Sequence, residues 1–113
     1  MIIEKKEKPK IIYEKPKYLT KENIIYWSPE YKELKGEYPN ICSKAKKFLQ
    51  EDRVREFEGY FLVLPISGYN KTTYKVKINP DECNCQFFNK TGKTCSHILA
   101  VKMYMRLKKN EID

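Results

Sequence analysis

The chain has 113 residues and a formal net charge of +8, a size that allows one small domain together with flexible arms. Charged residues make up 34% of the sequence, so the core must be small, and a small core gains stability from a structural metal. The sequence has no run of about 18 apolar residues and no signal-peptide core, so we expect an intracellular protein that does not bind membranes.

The positive charge is concentrated at the two ends of the chain. Residues 1–21 contain seven Lys and three Glu, residues 22–82 contain ten basic and ten acidic groups, and residues 83–113 contain six basic and two acidic groups. Basic ends around a neutral middle favour a nucleic-acid partner. The alternative is that Lys and Glu only keep the chain soluble, as in many thermophile proteins, and the abundance of Lys, Ile and Tyr would fit an archaeal or viral source.

The first part of the chain predicts an arm followed by short helices. Residues 1–19 repeat a Glu-Lys-Pro-Lys motif whose prolines favour extended backbone, so we expect a basic arm that is extended or disordered. Residues 20–42 are predicted to form a short-helix segment that packs on the domain. Within it, Ser28 can cap a helix that starts at Pro29 and ends at Gly36.

Residues 43–113 are predicted to form the folded domain. The predicted elements are a helix over 43–52 capped by Ser43, strands within 54–64 and over 72–78, a third strand over 83–88, and a last helix over 95–109. The fold class is therefore α+β, with a small antiparallel sheet of about three strands, a C-terminal helix and one or two N-terminal helices.

Three of the four cysteines and the only histidine fall in one short stretch, as Cys83, Cys85, Cys95 and His97. Three thiolates and one imidazole are a complete tetrahedral ligand set for Zn²⁺, with no position left for water or substrate. A strand would place Cys83 and Cys85 on one face, and the start of a helix would offer N–H groups to the thiolate of Cys95. We therefore predict one structural Zn²⁺ that tethers the C-terminal helix to the sheet.

Three alternatives remain open for these residues. Disulfide bonds would leave His97 unexplained, and Cys83 and Cys85 are poorly placed to bond each other. Independent buried thiols would not account for the spacing, and iron–sulfur ligation by Cys and His is rarer. The fourth cysteine, Cys42, matches no ligand position and is expected to be a buried or partly buried thiol near the start of the helix over 43–52.

The ligand spacing and its surroundings resemble the SWIM zinc finger, whose pattern is Cys-x-Cys, a variable gap and Cys-x-His on a strand-strand-helix unit. All four ligands match in order, residues 74–78 resemble the strand before the metal site, and residues 95–101 resemble the start of the family's helix, with Ser96 in place of a frequent basic residue. The resemblance covers residues 43–107. It implies zinc binding, together with DNA binding in recombination, transposition or transcription-related complexes, or binding to protein partners.

The last helix carries two candidate binding surfaces. A basic stripe on the helix, extended by lysines in the preceding loop and strand, could contact phosphates, although a solvated face is the alternative for any single lysine. The predicted nucleic-acid-binding residues are Lys75, Lys77, Lys90, Lys93, Lys102, Arg106 and Lys109. The apolar residues Leu99, Met103 and Leu107 are predicted to bind a partner. The helix is apolar on most of its circumference, so the N-terminal segment or a second protein, including another copy, must cover it beyond the sheet.

The sequence contains no catalytic arrangement that we could identify. Its sole histidine is committed to the metal, and it has no phosphate-binding glycine loop and no nucleophile elbow. We therefore expect no enzyme activity. Our first hypothesis is a DNA-binding module of low sequence specificity, with the preference for single or double strands undetermined. The alternative is a protein-interaction adaptor or homodimer that uses the apolar face of the last helix, with zinc purely structural.

Overall fold

The structure is a computed structural model that describes residues 18–109. The predicted basic arm over residues 1–19 therefore lies outside the described residues, except for its last two positions. Tyr18 is exposed, whereas Leu19 is buried in the core. Leu19 thus already belongs to the packed part of the chain.

The described chain opens with the helices α1 (Ile24–Trp27), α2 (Pro29–Lys35) and α3 (Pro39–Gln50). The predicted cap of α2 is confirmed, because the Ser28 hydroxyl accepts a hydrogen bond from the Tyr31 N–H at 3.2 Å. Pro29 occupies the first position of the helix and Gly36 follows its last residue, as the sequence predicts.

Helix α3 begins earlier than predicted. Its first residue is Pro39, four positions before the predicted cap Ser43. Proline suits the first helical position, because the backbone N–H that it lacks would have no partner within the helix there. The buried side chains of α3 recur at helical spacing and form one apolar face, made of Cys42, Ala45, Phe48 and Leu49.

The described residues contain one more strand than predicted: β1 (Val54–Phe57), β2 (Tyr60–Val63), β3 (Tyr74–Lys77) and β4 (Glu82–Cys83). The strands form one antiparallel sheet in the order β1-β2-β3-β4. The region 54–64 holds two strands because Gly59, at a φ of +89°, lets the chain turn back on itself after β1. The α+β class is therefore confirmed.

The predicted strand over residues 83–88 is wrong beyond its first residue. The Asn84 N–H still donates to the Lys75 carbonyl at 3.3 Å, but the Asn84 side chain, in place of its carbonyl, accepts from the Lys75 N–H at 2.9 Å. The chain then enters α4 (Gln86–Thr91), whose N-cap is Cys85. A cysteine is not among the usual capping residues, so the helix start carried little sequence signal.

The end of α4 carried a clearer sequence signal. Gly92 has a φ of +70° and donates its N–H to the Phe88 carbonyl at 2.8 Å. A glycine in the left-handed region commonly follows the last residue of a helix. Gly92 was therefore the residue from which α4 could have been predicted.

Helix α5 (Ser96–Lys109) forms the centre of the core. It packs on α2 and α3 along one side and contacts all four described strands along the other. The side chains of residues 98–101 and of Met103 are fully buried as a result. Within the described chain, the N-terminal helices therefore pack on the side of this apolar helix that the sheet leaves open, and these contacts are intramolecular. None of the helices within residues 18–109 combines the length and apolar character that a membrane crossing needs.

Candidate metal centre

The four predicted ligands converge where the sheet meets the last two helices. Cys83 lies in β4 opposite Val76 of β3, and Cys85 follows as the N-cap of α4. Cys95 immediately precedes α5, and His97 lies in the first turn of that helix. The prediction that both members of the Cys-x-Cys pair lie on one strand is therefore only half right.

The geometry of the four side chains suits one metal ion. Their ligand atoms all lie within 4.8 Å of one another, and all four residues are buried. The His97 Nδ1 lies 3.7 Å from the sulfur of Cys83 and 3.7 Å from the sulfur of Cys95. A tetrahedral Zn²⁺ with ordinary bond lengths would place sulfur and nitrogen ligands about 3.6 Å apart. The residues thus fit a single Zn²⁺ with only small adjustments.

Backbone N–H groups at two helix starts point at two of the sulfurs. The Phe88 N–H donates to the Cys85 sulfur at 3.4 Å, and the Ile98 N–H donates to the Cys95 sulfur at 3.5 Å. The first turn of a helix has N–H groups without intrahelical partners and a positive dipole end, so it stabilises thiolate charge. The helices α4 and α5 therefore start where they support the metal ligands.

The close approach of the sulfurs perturbs their protonation. A hydrogen bond from Cys83 lowers the pKa of Cys95 to about 4. The same hydrogen bond, together with burial, raises the pKa of the Cys83 thiol, and burial raises the pKa of Cys85. Because thiolates are the metal-binding form, Zn²⁺ must displace protons from Cys83 and Cys85, and its affinity must fall as the pH falls.

Aromatic rings hold the histidine in place. The Tyr74 ring stacks on the His97 imidazole, with centroids 4.0 Å apart and an angle of 28° between the planes. The Phe48 ring of α3 lies 5.3 Å from the same imidazole. These rings restrict the orientation of the imidazole, so Nδ1 is presented to the sulfurs. Phe48 thereby joins α3, which precedes the sheet, to the metal centre.

A four-ligand thiolate–imidazole centre on a small antiparallel sheet, closed by a helix, defines a structural zinc-finger protein of α+β class. Residues 68–105 match the family model of the SWIM zinc finger. The chain therefore contains a SWIM zinc finger, which spans β3, β4, α4 and most of α5. The match is narrower than the predicted resemblance over 43–107, since α3, β1 and β2 lie outside it. Comparison with curated proteins and with solved structures found no significant match.

The fourth cysteine is confirmed as a buried thiol away from the metal centre. Cys42 lies in α3, and its Sγ donates to the Tyr31 carbonyl at 3.6 Å. Burial raises the pKa of the Cys42 thiol, which keeps it protonated at neutral pH. Cys42 therefore links α3 to α2 as a small core side chain.

The basic stripe predicted on α5 is largely engaged with carboxylates. The Lys102 ammonium lies 2.6 Å from Asp81, and the Arg106 guanidinium donates two hydrogen bonds to Glu30 at 3.0 and 3.2 Å. These ion pairs reduce the local positive charge, so Lys102 and Arg106 offer less charge to a phosphate than the sequence alone suggests. Lys109 is exposed at the end of α5.

The Arg106 ion pair has a structural role. Burial alone would raise the pKa of Glu30, but hydrogen bonds from Arg106 and Ser28 help to hold the pKa of this carboxyl below its ordinary value. The Ser28 hydroxyl, which caps α2, donates to Glu30 at 3.0 Å. Arg106 therefore fastens α5 to the start of α2.

The remaining lysines fall into two places. Lys75 and Lys77 are exposed and line a groove between the sheet and α4, which Glu82 also lines, and Lys90 is exposed on α4. Lys93 lies elsewhere: its ammonium is 3.3 Å from the Tyr38 hydroxyl, in a cleft that the acidic residues of α2 also line. The predicted lysines therefore do not form one continuous patch.

The predicted partner surface on α5 also needs correction. Leu99 and Met103 are fully buried between α5 and its neighbours, and Leu107 is half-buried against the same core. In this structure the side chains of Leu99 and Met103 are not available to a partner, because α3 and the sheet already contact α5. The sequence showed the apolar character of these residues but not what packs against them.

Proposed function

We propose that this chain is a nucleic-acid-binding module of low sequence specificity in which the zinc is structural. The observation that carries the proposal is a set of exposed lysines: Lys75 and Lys77 line the groove that the ligand Cys83 also lines, and Lys90 is exposed on α4. Among residues 18–109, no carboxylate lies within 4.0 Å of these three ammonium groups. With the net charge of +8, they supply positive potential for phosphates.

The resemblance to SWIM zinc fingers supports a DNA partner within a recombination, transposition or transcription-related complex. Lysine contacts to phosphate position a protein without reading the base sequence, which favours low specificity. We also propose that the protein is not an enzyme, because four protein ligands would fill the tetrahedral shell of the zinc. An intracellular setting completes the proposal, since zinc-bound thiolates require reduced cysteines.

The proposed binding can be tested by fluorescence anisotropy with labelled single- and double-stranded DNA at several salt concentrations. We expect affinity to fall steeply with salt, with a slope of log K against log salt of about −0.9 per contacted phosphate for duplex and about −0.7 for single strands. Single-stranded RNA of the same length serves as a further ligand. Absence of binding to every nucleic acid at about 50 mM salt would rule the proposed function out.

The alternative of a protein-interaction adaptor rested on the apolar face of α5. Since Leu99 and Met103 belong to the core, only the half-buried Leu107 of that face is left for a partner or a second copy, and the observations favour the nucleic-acid proposal. Light scattering on the purified protein provides the check. A stable dimer at micromolar concentration would bring the alternative back.

A further inference from the structure

The sheet has an outer side that points away from α5. The strand register pairs Arg55 with Leu62 and Leu62 with Lys75, and directly paired residues share one side of a sheet. By the same alternation Phe57, Tyr60 and Lys77 point outward, while Phe61, Val63 and Val76 are buried against the helices.

Two aromatic rings lie together on this outer side. Phe57 and Tyr60 stack at a centroid distance of 5.1 Å, with only 7° between their planes. Phe57 is 45% exposed although it is a large apolar side chain, whereas Tyr60 is half-buried. Phe57 therefore presents an exposed ring face, and surfaces that bind unpaired bases use such faces because every base has a face that can stack.

Lysines of β3 lie beside the Tyr60 ring. The Lys75 ammonium lies 4.7 Å from the centre of the Tyr60 ring, and Lys77 follows on the same side of β3. Among the described strand residues that point outward, Arg55, Lys75 and Lys77 are cationic and only Glu82 is anionic. Rings flanked by cations offer stacking and phosphate contact side by side.

The charge pattern favours a nucleic acid over a protein partner. A protein that docked on these rings would bury the neighbouring cations, and charged residues are depleted at the centres of protein interfaces. A polyanion with exposed bases would instead keep both kinds of contact. Duplex DNA does not meet this description, since its bases stack on one another and cannot reach the rings.

We propose that the outer aromatic face, which we define as Phe57, Tyr60, Lys75 and Lys77, binds single-stranded nucleic acid. A base stacks on the exposed face of Phe57, whose other face packs on Tyr60, and the neighbouring phosphates contact Lys75 and Lys77. The strand continues into the groove between the sheet and α4, which Asn84 also lines. This inference rests on the proposed function and adds to it the strand preference and the binding surface.

The test compares matched variants by anisotropy with a labelled single strand of about 15 thymidines, a length within the range that one small binding domain covers. The aromatic test variant is Phe57→Leu with Tyr60→Leu. Its control is Tyr69→Leu, because Tyr69 is also an exposed ring, at 43%, with a lysine above it, but it packs on Phe48 away from this face. Circular dichroism and zinc content establish that each variant is folded.

The charge test variant is Lys75→Gln with Lys77→Gln. Its control is Lys35→Gln with Lys44→Gln, two exposed lysines on α2 and α3 that remove the same charge elsewhere. We expect the aromatic variant to bind about tenfold more weakly or worse with an unchanged salt slope. We expect the charge variant to lose about 1.4 from the slope, which corresponds to two phosphate contacts on a single strand. Both controls should bind as the unmodified chain does.

The outcomes separate this inference from the proposed function. If the unmodified chain binds no nucleic acid, the proposed function fails and the inference fails with it. If the unmodified chain binds nucleic acid but both test variants bind as their controls do, only the inference is overturned. The same holds if the chain binds duplex DNA as tightly as the single strand. Photocrosslinking of an iodouracil-containing strand to Phe57 or Tyr60 would support it directly.

Discussion

Removal of the metal should unfold the described domain as a unit. Two of the four ligands flank the start of α5, and α5 is the helix around which α3 and the sheet pack. Structural zinc sites contribute about 10–16 kcal/mol of binding free energy, while small domains have total stabilities of about 5–15 kcal/mol. The metal contribution is thus as large as the whole free energy of unfolding.

Two serine substitutions provide a matched pair for this prediction. Cys85→Ser removes a ligand, so we expect loss of zinc, loss of helical circular dichroism and no cooperative melting transition. Cys42→Ser changes an equally buried sulfur that only donates to the Tyr31 carbonyl, and a hydroxyl can make the same hydrogen bond. Its cost should be about 1 kcal/mol, with one zinc per chain retained.

The assay combines metal analysis with thermal melting before and after incubation with a strong chelator. The chelated protein should resemble Cys85→Ser, and added Zn²⁺ should restore its spectrum. Unchanged melting after complete metal removal would show that the fold does not depend on the centre. Loss of zinc from Cys42→Ser as severe as that from Cys85→Ser would show that the ligand set has been assigned wrongly.

Three further predictions concern the helices that surround the centre. The Glu30–Arg106 pair should contribute about 1.5–3 kcal/mol at neutral pH. Because the folded-state pKa of Glu30 is lowered, this stability is present above its ordinary value of 4.5 and is lost as the pH falls through the lowered value. Glu30→Gln should remove that part of the pH dependence of chemical denaturation, and an unchanged profile would contradict the role of the pair. Met103→Ala should lower the free energy of unfolding by about 2–5 kcal/mol, because Met103 is fully buried. A loss below about 1 kcal/mol would mean that α5 is not packed as described. Gly92→Ala should lower the free energy of unfolding by about 1 kcal/mol in melting experiments, because Gly92 has a positive φ at the end of α4. The added methyl group itself has room, since no atom lies within 4 Å of it. A stabilised variant would refute the assigned turn.

The metal ligands could be predicted from sequence because their signal is local. Cys83, Cys85, Cys95 and His97 are close along the chain, and their residue types already define the coordination chemistry. The Ser28 cap of α2 was predictable for the same reason, since a cap and its N–H partner lie within one helical turn. The strand before the metal site was likewise visible from its alternating side chains.

The helix α4 shows where local reasoning failed. Cys85 and Phe88 fit a continued strand by residue type, and a cysteine sulfur is an unusual helix cap. At the end of β4 the Asn84 side chain, in place of its carbonyl, accepts a hydrogen bond from the Lys75 N–H of β3, nine residues earlier in the chain. Such a contact has no periodic signature in the sequence.

By itself, the sequence determined the ligand set, the α+β class and the excess of positive charge. The tertiary structure decided which of those charges remain available: Arg106 meets Glu30 across 76 positions of the chain, and Lys102 meets Asp81. It also decided that α5 is covered from within and that Phe57, Tyr60 and Lys75 share one exposed face. The reason is physical, because residue type sets what a side chain can do, whereas packing and strand register set which neighbours it has and whether solvent or a ligand can reach it.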